Sequence, residues 1–420
     1  MLIKNAYVVD PVSQVKAMKD LRISDGKIEE IGDKLSFKED EEILDVNGQV
    51  LAPGLVDIHV HFRDPGLTYK EDIFTGAKAA AKGGFTTVIC MANTKPVIDN
   101  VELLKANQEK MDKTDIHVLQ ASAITKNLAG KELVDLKAMH EAGAAGFTDD
   151  GIPIMDEKLL ENAMKLAKEL DQPISLHEED PNFLDSPGVN KGEISKKIGV
   201  GGASAMAEDV LVARDCMIAY HTGAKVNIQH ISSKNSVELV RAAKKMGAKV
   251  YAEATPHHFT LTQDAVLEHG TLARMNPPLR TKEDRAAIIE GLVDGTIDFI
   301  ATDHAPHSKE EKEKPFKDAP SGITGLETSL SLGVTNLVRA GHLTMMQLME
   351  KMSKNPATLY NLNPQGIVVG APADFVIFNP NETWIVGDYE SKATNSPFTG
   401  QELFGVVHYT ICNGKIVYKK

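Results

Sequence analysis

The stretch Leu55–Arg63, which reads LVDIHVHFR, decides how the middle of this chain folds. It begins as an apolar strand, and His59 and His61 stand at its end. Two residues apart on a strand, their side chains project from the same face. Seven more strand candidates follow, and amphipathic helical stretches separate most of them. Eight strands alternating with helices over roughly 250 residues predict an α/β protein built on a (β/α)8 TIM barrel.

The strand candidates are short apolar segments, mostly bounded by polar or turn-forming residues. They are Leu55–His61, Thr86–Met91, Ile116–Ala121, Ala145–Thr148, Pro173–His177, Lys225–His230, Lys249–Ala254 and Asp298–Thr302. Helical spacing of apolar residues occurs between them, at Thr75–Lys82, Leu159–Leu170, Ser236–Met246 and Glu283–Val293.

Both ends of the chain show a different pattern, of short strands separated by turns such as Asp25-Gly26 and Asn47-Gly48. This pattern is typical of antiparallel β-structure. It stops near residue 51 and returns after Leu362. We therefore expect residues 1–51 and 363–420 to form one small β-sandwich beside a metal-dependent barrel of residues 52–362.

The composition excludes several classes of function. A formal net charge of −13 over 420 residues argues against the basic face of a nucleic-acid-binding protein. No apolar run approaches the roughly 18 residues that a membrane-spanning helix needs, and no secretion signal is visible. Three widely spaced cysteines, Cys90, Cys216 and Cys412, do not indicate a disulfide framework. We expect a cytoplasmic protein that binds neither nucleic acid nor membrane.

Polar residues of one chemical type recur where later strands end. His177 and His230 end the fifth and sixth strand candidates, and Asp303 follows the eighth. Asp149 and Asp150 follow the fourth. Because the carboxyl ends of barrel strands meet at one rim, we expect these side chains to lie close to His59 and His61.

The number of candidate ligands points to two metal ions. A single tetrahedral ion takes three or four protein ligands, whereas four histidines and two or three carboxylates are available here. Two ions about 3.5–4 Å apart, joined by a bridging carboxylate, accommodate the larger set. Such ions lower the pKa of a bound water to about 7, which provides a nucleophile for a carbonyl group.

Two motifs resemble the signatures of the dihydroorotases, bacterial class I type, of the amidohydrolase superfamily. They are His59–Gly66 (HVHFRDPG) and Ala301–His307 (ATDHAPH). Met275–Arg280 (MNPPLR) and Gly83–Thr87 (GGFTT) are also similar to that family. The similarity covers nearly the whole chain and includes the turn Gly370–Asp374.

The resemblance implies a role for each candidate ligand. It places His59, His61 and Asp303 on one zinc ion and His177 and His230 on a second. Asp150 takes the bridging position; the family pattern selects it, because spacing alone does not separate Asp149 from Asp150. Many relatives bridge with a carboxylated lysine, but the segment Ala145–Asp150 contains no lysine. One or two zinc ions per subunit are expected, and two are favoured.

The resemblance also implies a substrate site and a reaction. The expected substrate-binding residues are Arg63, Asn93 and His307 around a carboxylate, and Asn276, Ser321 and Gly322 around the ring. The reaction is the reversible hydrolysis of (S)-dihydroorotate to N-carbamoyl-L-aspartate in pyrimidine biosynthesis. A metal-bound hydroxide attacks, and Asp303 is the general acid and base. The resemblance further implies a homodimer, and an association with aspartate transcarbamoylase is a possible addition.

Two other functions remain open at the level of the sequence. A related cyclic amidase would act on hydantoin, dihydropyrimidine or allantoin, which carry no carboxylate for Arg63 to bind. A non-catalytic, dihydroorotase-like partner of aspartate transcarbamoylase would be expected to lack metal ligands, and none is missing here.

Several residues have less certain roles. The charged connection 308–321, which contains two prolines, is either a mobile lid over the site or a solvated loop. Glu178, where relatives usually have cysteine, either orients His177 or points to solvent. Relatives also usually have proline at the positions of Ala92 and Ser321. For His257 and His258 we expect supporting or structural roles rather than metal binding.

Overall fold

The computed structural model describes residues 1–420 as an α/β fold with sixteen strands. The strands are β1 (Leu2–Asp10), β2 (Val15–Ser24), β3 (Lys27–Gly32), β4 (Ile43–Asp45), β5 (Val50–Pro53), β6 (Leu55–Val60), β7 (Phe85–Cys90), β8 (His117–Gln120), β9 (Phe147–Thr148), β10 (Ile174–Leu176), β11 (Val226–Ile228), β12 (Val250–Ala254), β13 (Phe299–Ile300), β14 (Phe375–Ile385), β15 (Glu402–Cys412) and β16 (Lys415–Lys419).

Fourteen α-helices lie between β6 and β14. They are α1 (Ile73–Lys82), α2 (Val101–Met111), α3 (Leu136–Glu141), α4 (Glu157–Glu169), α5 (Glu193–Lys197), α6 (Met206–Thr222), α7 (Lys234–Lys245), α8 (Pro256–Thr260), α9 (Ala265–His269), α10 (Lys282–Asp294), α11 (Lys309–Lys312), α12 (Leu326–Gly333), α13 (Met345–Met349) and α14 (Asn355–Leu359). None of them is both long enough and apolar enough to cross a membrane.

The helices begin where the sequence supplies a capping side chain. Asp72 accepts hydrogen bonds from the backbone of Phe74 and Thr75 at the start of α1. Ser233 caps α7 in the same way, and Thr281 and Asp284 form a reciprocal capping box at α10. These side chains satisfy amide groups that have no partner within the helix, so they fix where each strand-to-helix loop ends.

The strands β6 to β13 are parallel and form two sheets. One has the order β6-β7-β8 and the other the order β13-β12-β11-β10-β9. Isolated parallel bridges join their edges, between Ser122 and Phe147 on one side and between Val60 and His304 on the other. The predicted alternation of parallel strands and helices is therefore present, but a continuous ladder of hydrogen bonds does not close these strands into a ring.

Several strands end earlier than the sequence pattern predicts. β10 ends at Leu176, so His177 lies just beyond it, and β11 and β13 end two and three residues before His230 and Asp303. The backbone at these positions has left the extended conformation: His230, Asp303 and Arg63 have positive φ angles of 32°, 48° and 60°. Non-glycine residues adopt this region rarely and often at functional sites.

The two ends of the chain pair into one mixed sheet with the order β16-β15-β14-β5-β1-β2-β3, and β4 pairs with β1. The central contact is antiparallel, between β5 from the N-terminal part and β14 from the C-terminal part. The pairing of the two ends agrees with the sequence pattern, but the predicted two-layer sandwich is not confirmed. β5 also crosses the predicted boundary at residue 51.

The terminal sheet has a hydrophobic cluster of its own, to which both ends of the chain contribute. Ile3, Leu21 and Ile23 pack there with Phe375 and Ile377, and all five are buried. Buried apolar area stabilises by roughly 25 cal/mol per Å², so these contacts hold the two ends of the chain together.

We predict that Phe375→Ala lowers the free energy of unfolding by about 3–5 kcal/mol, because it leaves a cavity in this cluster. Phe375 is 1% exposed, whereas Ile385 on the same strand is 62% exposed and provides a matched control. Denaturant unfolding should show a change within about 0.5 kcal/mol for Ile385→Ala. Equal effects of the two substitutions would contradict the assignment of this core.

Candidate active site

The six predicted metal ligands lie together at one end of the parallel strands. His59 lies in β6 and His61 directly after it, and the other four come from the loops after β9, β10, β11 and β13. All six are buried. Side chains separated by more than 240 positions are in contact: His61 Nε2 lies 3.0 Å from an oxygen of Asp303.

The Asp150 carboxylate lies between four imidazoles. Its oxygens are 3.3 Å from His59 Nε2 and 3.5 Å from His61 Nε2. They are 3.9 Å from His177 Nδ1 and 3.7 Å from His230 Nε2. Burial alone would raise the pKa of this carboxyl, but the surrounding imidazoles, His59 first, hold it well below its usual range. Asp150 is therefore ionised at neutral pH.

Asp303 occupies the side of the cluster next to His59 and His61. Its carboxylate is 3.0 Å from His61 Nε2 and 3.6 Å from His59 Nε2. Burial opposes ionisation, but the contact with His61 and the nearby His59 lower the pKa of Asp303 below that of an ordinary aspartate. A second ionised carboxylate thus borders the same group of imidazoles.

The cluster contains two overlapping groups of side chains that could hold a metal ion. His59, His61 and Asp150 form one group of candidate ligand atoms, and Asp150, His177 and His230 form another. Three buried atoms in these groups have no hydrogen-bond partner: His59 Nε2, Asp150 Oδ1 and His177 Nε2. Unpartnered buried polar atoms are costly, and imidazole nitrogens with a shared carboxylate suit zinc and similar transition metals.

The neighbouring aspartates Asp149 and Asp150 have different surroundings. Asp149 accepts backbone hydrogen bonds from Ile124 and Thr125 and a further bond from the Thr125 hydroxyl. It therefore holds the loop after β8 and is directed away from the imidazoles. Only Asp150 belongs to the candidate metal-binding groups.

Glu253 on β12 supports the cluster and was not identified from the sequence. It is fully buried, and its carboxylate lies 2.5 Å from His59 Nδ1. It also accepts hydrogen bonds from the His230 backbone and the Asn227 side chain. A carboxylate at Nδ1 sets the imidazole tautomer so that the Nε2 lone pair of His59 faces Asp150. In the sequence, the feature that could have identified Glu253 is its position as a single charged residue within an apolar strand.

A cavity of about 180 Å³ opens beside these residues. All six predicted substrate-binding residues line it, together with ligand candidates from the cluster. The substrate-binding residues are Arg63, Asn93, Asn276, His307, Ser321 and Gly322.

Two amide side chains in the cavity contact the cluster and its neighbours. Asn93 accepts from His61 Nδ1 at 3.0 Å and donates to Asp150 at 3.0 Å. Asn276 donates to Glu179, whose carboxylate is 3.7 Å from His177 Nε2. In this arrangement Asn93 orients the candidate ligands directly, and Asn276 does so through Glu179, a residue that the sequence patterns did not single out.

One wall of the cavity is formed by Arg63 and a neutral His307, and Lys70 contacts His307 from outside the lining. Arg63 Nη2 lies 3.4 Å from His307 Nε2, and Lys70 Nζ lies 3.3 Å from its Nδ1. Burial and these two cations lower the pKa of His307 to about 2. Nε2 of His307 donates to the Ser321 carbonyl. Lys70 is paired with Glu311 at 2.9 Å, so the positive charge available to an anionic substrate comes from Arg63.

The three residues with open roles are all buried. Glu178 does not reach solvent; burial and the adjacent Asp215 raise the pKa of its carboxyl well above the usual value. His258 has both ring nitrogens occupied, by the Thr255 hydroxyl and the Pro277 carbonyl. His257 is outside the candidate ligand groups, and burial lowers its pKa to about 4.

The connection 308–321 is partly ordered by buried contacts. It begins with α11, and Lys312 at the end of that helix is 4% exposed. Its ammonium group donates to the carbonyls of Pro320 at 2.9 Å and Gly322 at 3.1 Å. The segment is therefore fastened to the cavity wall at Gly322.

We predict that Glu253→Gln weakens metal binding about 10- to 100-fold, because the amide does not hold His59 as a carboxylate does. The strength of metal binding is measured by the amount of metal that the protein retains after dialysis against increasing chelator concentrations. Glu268→Gln is the control, since its side chain is 79% exposed. Equal retention by wild type and Glu253→Gln would show that His59 does not depend on this contact.

Comparison with known proteins gives relatives of similar length. A family model described as Dihydro-orotase-like matches residues 48–236. The chain is 63% identical to a dihydroorotase of Clostridioides difficile, and the match covers 100% of this chain and 99% of that protein. It is 52% identical to a dihydroorotase of Clostridium acetobutylicum, again over 100% and 99% of the two chains.

Two solved structures of similar fold are hydantoinases. An L-hydantoinase (dihydropyrimidinase) from Arthrobacter aurescens has a TM-score of 0.89 at 26% identity, covering 100% of this chain and 96% of that one. A D-hydantoinase (dihydropyrimidinase) from a Thermus species has a TM-score of 0.86 at 26% identity, covering 99% and 94%. Sequence identity above one half with curated dihydroorotases extends from end to end, and every predicted ligand lies in one cluster. The chain therefore belongs to the dihydroorotase family.

Proposed function

We propose that this protein is a dihydroorotase, which interconverts (S)-dihydroorotate and N-carbamoyl-L-aspartate in pyrimidine biosynthesis. The observation that carries the proposal is the position of Arg63: a half-buried arginine lines the same cavity as members of the cluster of four histidines and two aspartates. A cyclic amide bearing a carboxylate needs both features.

The proposed cofactor is zinc, with two ions per subunit. His59, His61 and Asp303 would hold one ion, and His177 and His230 the other, with Asp150 between them. When bound, the ions would supply Lewis acidity for the amide carbonyl and lower the pKa of a water molecule. The unpartnered buried atoms of His59, Asp150 and His177 support this assignment.

Asp303 is the proposed general base and acid. Its low pKa keeps it ionised, and it borders the cavity beside His61. As an ionised carboxylate it can accept a proton from the attacking water, and the same oxygen can then deliver that proton to the leaving ring nitrogen. In the direction of ring closure, the carboxylate removes a proton from the ureido nitrogen.

Arg63 is the proposed anchor for the substrate carboxylate. A guanidinium forms paired, charge-assisted hydrogen bonds with a carboxylate. Hydantoin, dihydropyrimidine and allantoin carry no such carboxylate, so Arg63 favours dihydroorotate over the rival cyclic amides.

A non-catalytic role is the second alternative, and the complete set of candidate ligands argues against it. A homodimer and an association with aspartate transcarbamoylase are proposals that rest on the family resemblance. We also propose that the enzyme is cytoplasmic.

The architectural proposal is a complete (β/α)8 barrel of residues 52–362 flanked by a sandwich of residues 1–51 and 363–420. The bridges Ser122–Phe147 and Val60–His304 support it, since they join both pairs of sheet edges. The hydrophobic cluster shared by the two ends of the chain supports a separate accessory module.

We predict that Asp303→Asn lowers kcat for dihydroorotate by at least about 10³-fold, because an amide cannot accept and return the proton. The test measures turnover and metal content in the same samples. Asp294→Asn, which removes a surface carboxylate paired with Arg241, is the control. Near-normal turnover in Asp303→Asn at full metal content would assign the proton transfer to another group.

We predict that Arg63→Met raises KM for dihydroorotate about 100-fold, because a charge-assisted pair contributes roughly 1.5–3 kcal/mol. The wild type should prefer dihydroorotate over hydantoin, dihydrouracil and allantoin in a panel assay. A wild type that prefers a neutral ring, with Arg63→Met unaltered on it, would instead indicate a hydantoinase-like function.

A further inference from the structure

The connection 386–401 links β14 to β15 but leaves the terminal sheet between them. Antiparallel neighbours such as these can be joined by two to five residues, and longer connections are often functional. This one is not a solvated loop: Val386, Ser396 and Phe398 are each at most 1% exposed. It runs from the accessory module to the rim where the parallel strands end.

Two buried glutamates hold the connection on the barrel side. Glu327 on α12 accepts from the backbone amides of Glu390 and Ser391. Glu71, which precedes α1, accepts from the Ser391 hydroxyl and from the Lys392 backbone at 3.3 Å. Buried carboxylates with several donors are stable only when those donors stay in place, so the path of the connection is well determined.

Asn395, next along the connection, bonds to both sides of the cavity rim. Its Oδ1 accepts from the His307 backbone at 3.0 Å. Its Nδ2 donates to the carbonyls of Ala305 at 3.2 Å and Gly322 at 3.0 Å, and its own carbonyl accepts from Thr324. Asn395 is 4% exposed, and each polar group of its side chain has a partner.

These partners lie at the two ends of the 308–321 connection. The side-chain amide of Asn395 therefore joins those two ends. Ala305, His307 and Gly322 all line the candidate substrate cavity. The two ends already approach closely: a Cβ on Gly322 would lie 2.5 Å from that of Ala305, and φ of Gly322 is +121°. With little space for rearrangement, loss of the amide would move the backbone that presents His307 and Gly322.

We propose that Asn395 is a positioning residue for the substrate, acting through His307 at the carboxylate and through Gly322 at the ring. The inference rests on the proposed function and deepens it, because it assigns the accessory module a part in substrate binding. Asn395 touches neither the cluster of candidate metal ligands nor Asp303, so it should affect substrate affinity more than the chemical step.

The test compares Asn395→Asp, Asn395→Ala and Lys392→Ala in the zinc-loaded, full-length protein. Asn395→Asp keeps the acceptor for His307 but places a carboxylate oxygen against the carbonyls of Ala305 and Gly322. Lys392 is in the same connection but contacts Thr68 and Asp72 instead, so it controls for general loosening. KM and kcat for N-carbamoyl-L-aspartate, orotate affinity by calorimetry, zinc content and Tm are measured on each.

We expect both Asn395 variants to raise KM about tenfold or more, the effect of losing one to two hydrogen bonds, with kcat reduced less than about threefold. Orotate affinity should fall in parallel, while zinc content and the Lys392→Ala kinetics stay at wild-type values. If Asn395→Asp fails to fold, Asn395→Ala carries the same expectation.

Two results would overturn the inference. One is an unchanged KM and orotate affinity in both variants; the other is a parallel loss of kcat, zinc and Tm, which indicates a purely structural residue. Both presuppose an active wild type. An inactive wild type at full zinc content would contradict the proposed function itself and, with it, this inference.

Discussion

One buried carboxylate sets the main constraint on this molecule. Asp150 has four imidazoles within 4 Å; two come from the end of β6, and one each from the loops after β10 and β11. Such a group cannot be assembled by one local motif. It requires the parallel strands to end at one level, and it requires the backbone at His230 and Asp303 to adopt left-handed conformations. The cost of that geometry is offset by the extensive buried core around it.

The residues around this carboxylate are held in fixed orientations by hydrogen bonds. Glu253 and Asn93 each bind one imidazole at Nδ1, which directs Nε2 toward the centre. Glu179 approaches His177, and Asn276 binds Glu179. The outermost layer comes from the accessory module, through Asn395. The fold and the site therefore depend on each other, because the connection between β14 and β15 of the terminal sheet also supplies contacts at the cavity rim.

Much of this arrangement could be predicted from the sequence, because strand ends are marked by apolar runs that stop at a polar residue. That pattern located His59, His61, His177, His230 and Asp303, and the family resemblance chose Asp150 over Asp149. Glu253 was missed because a lone charge in a strand has no periodicity. Asn395 was missed because its partners lie more than 70 positions away, in segments whose meeting depends on the tertiary fold. The division of the parallel strands into two sheets could not be predicted either, because residue patterns indicate strands but do not determine where a hydrogen-bonded ladder is interrupted.

The absence of lysine from the segment that precedes Asp150 has a consequence for how the centre matures. A lysine bridge becomes a ligand only after its amine has reacted with dissolved carbon dioxide, so its formation depends on bicarbonate supply and can reverse. An aspartate side chain already carries its carboxylate after translation and needs no such modification. With Asp150 in the bridging position, loading of this site would be governed by metal availability alone, whatever the carbonate content of the cell.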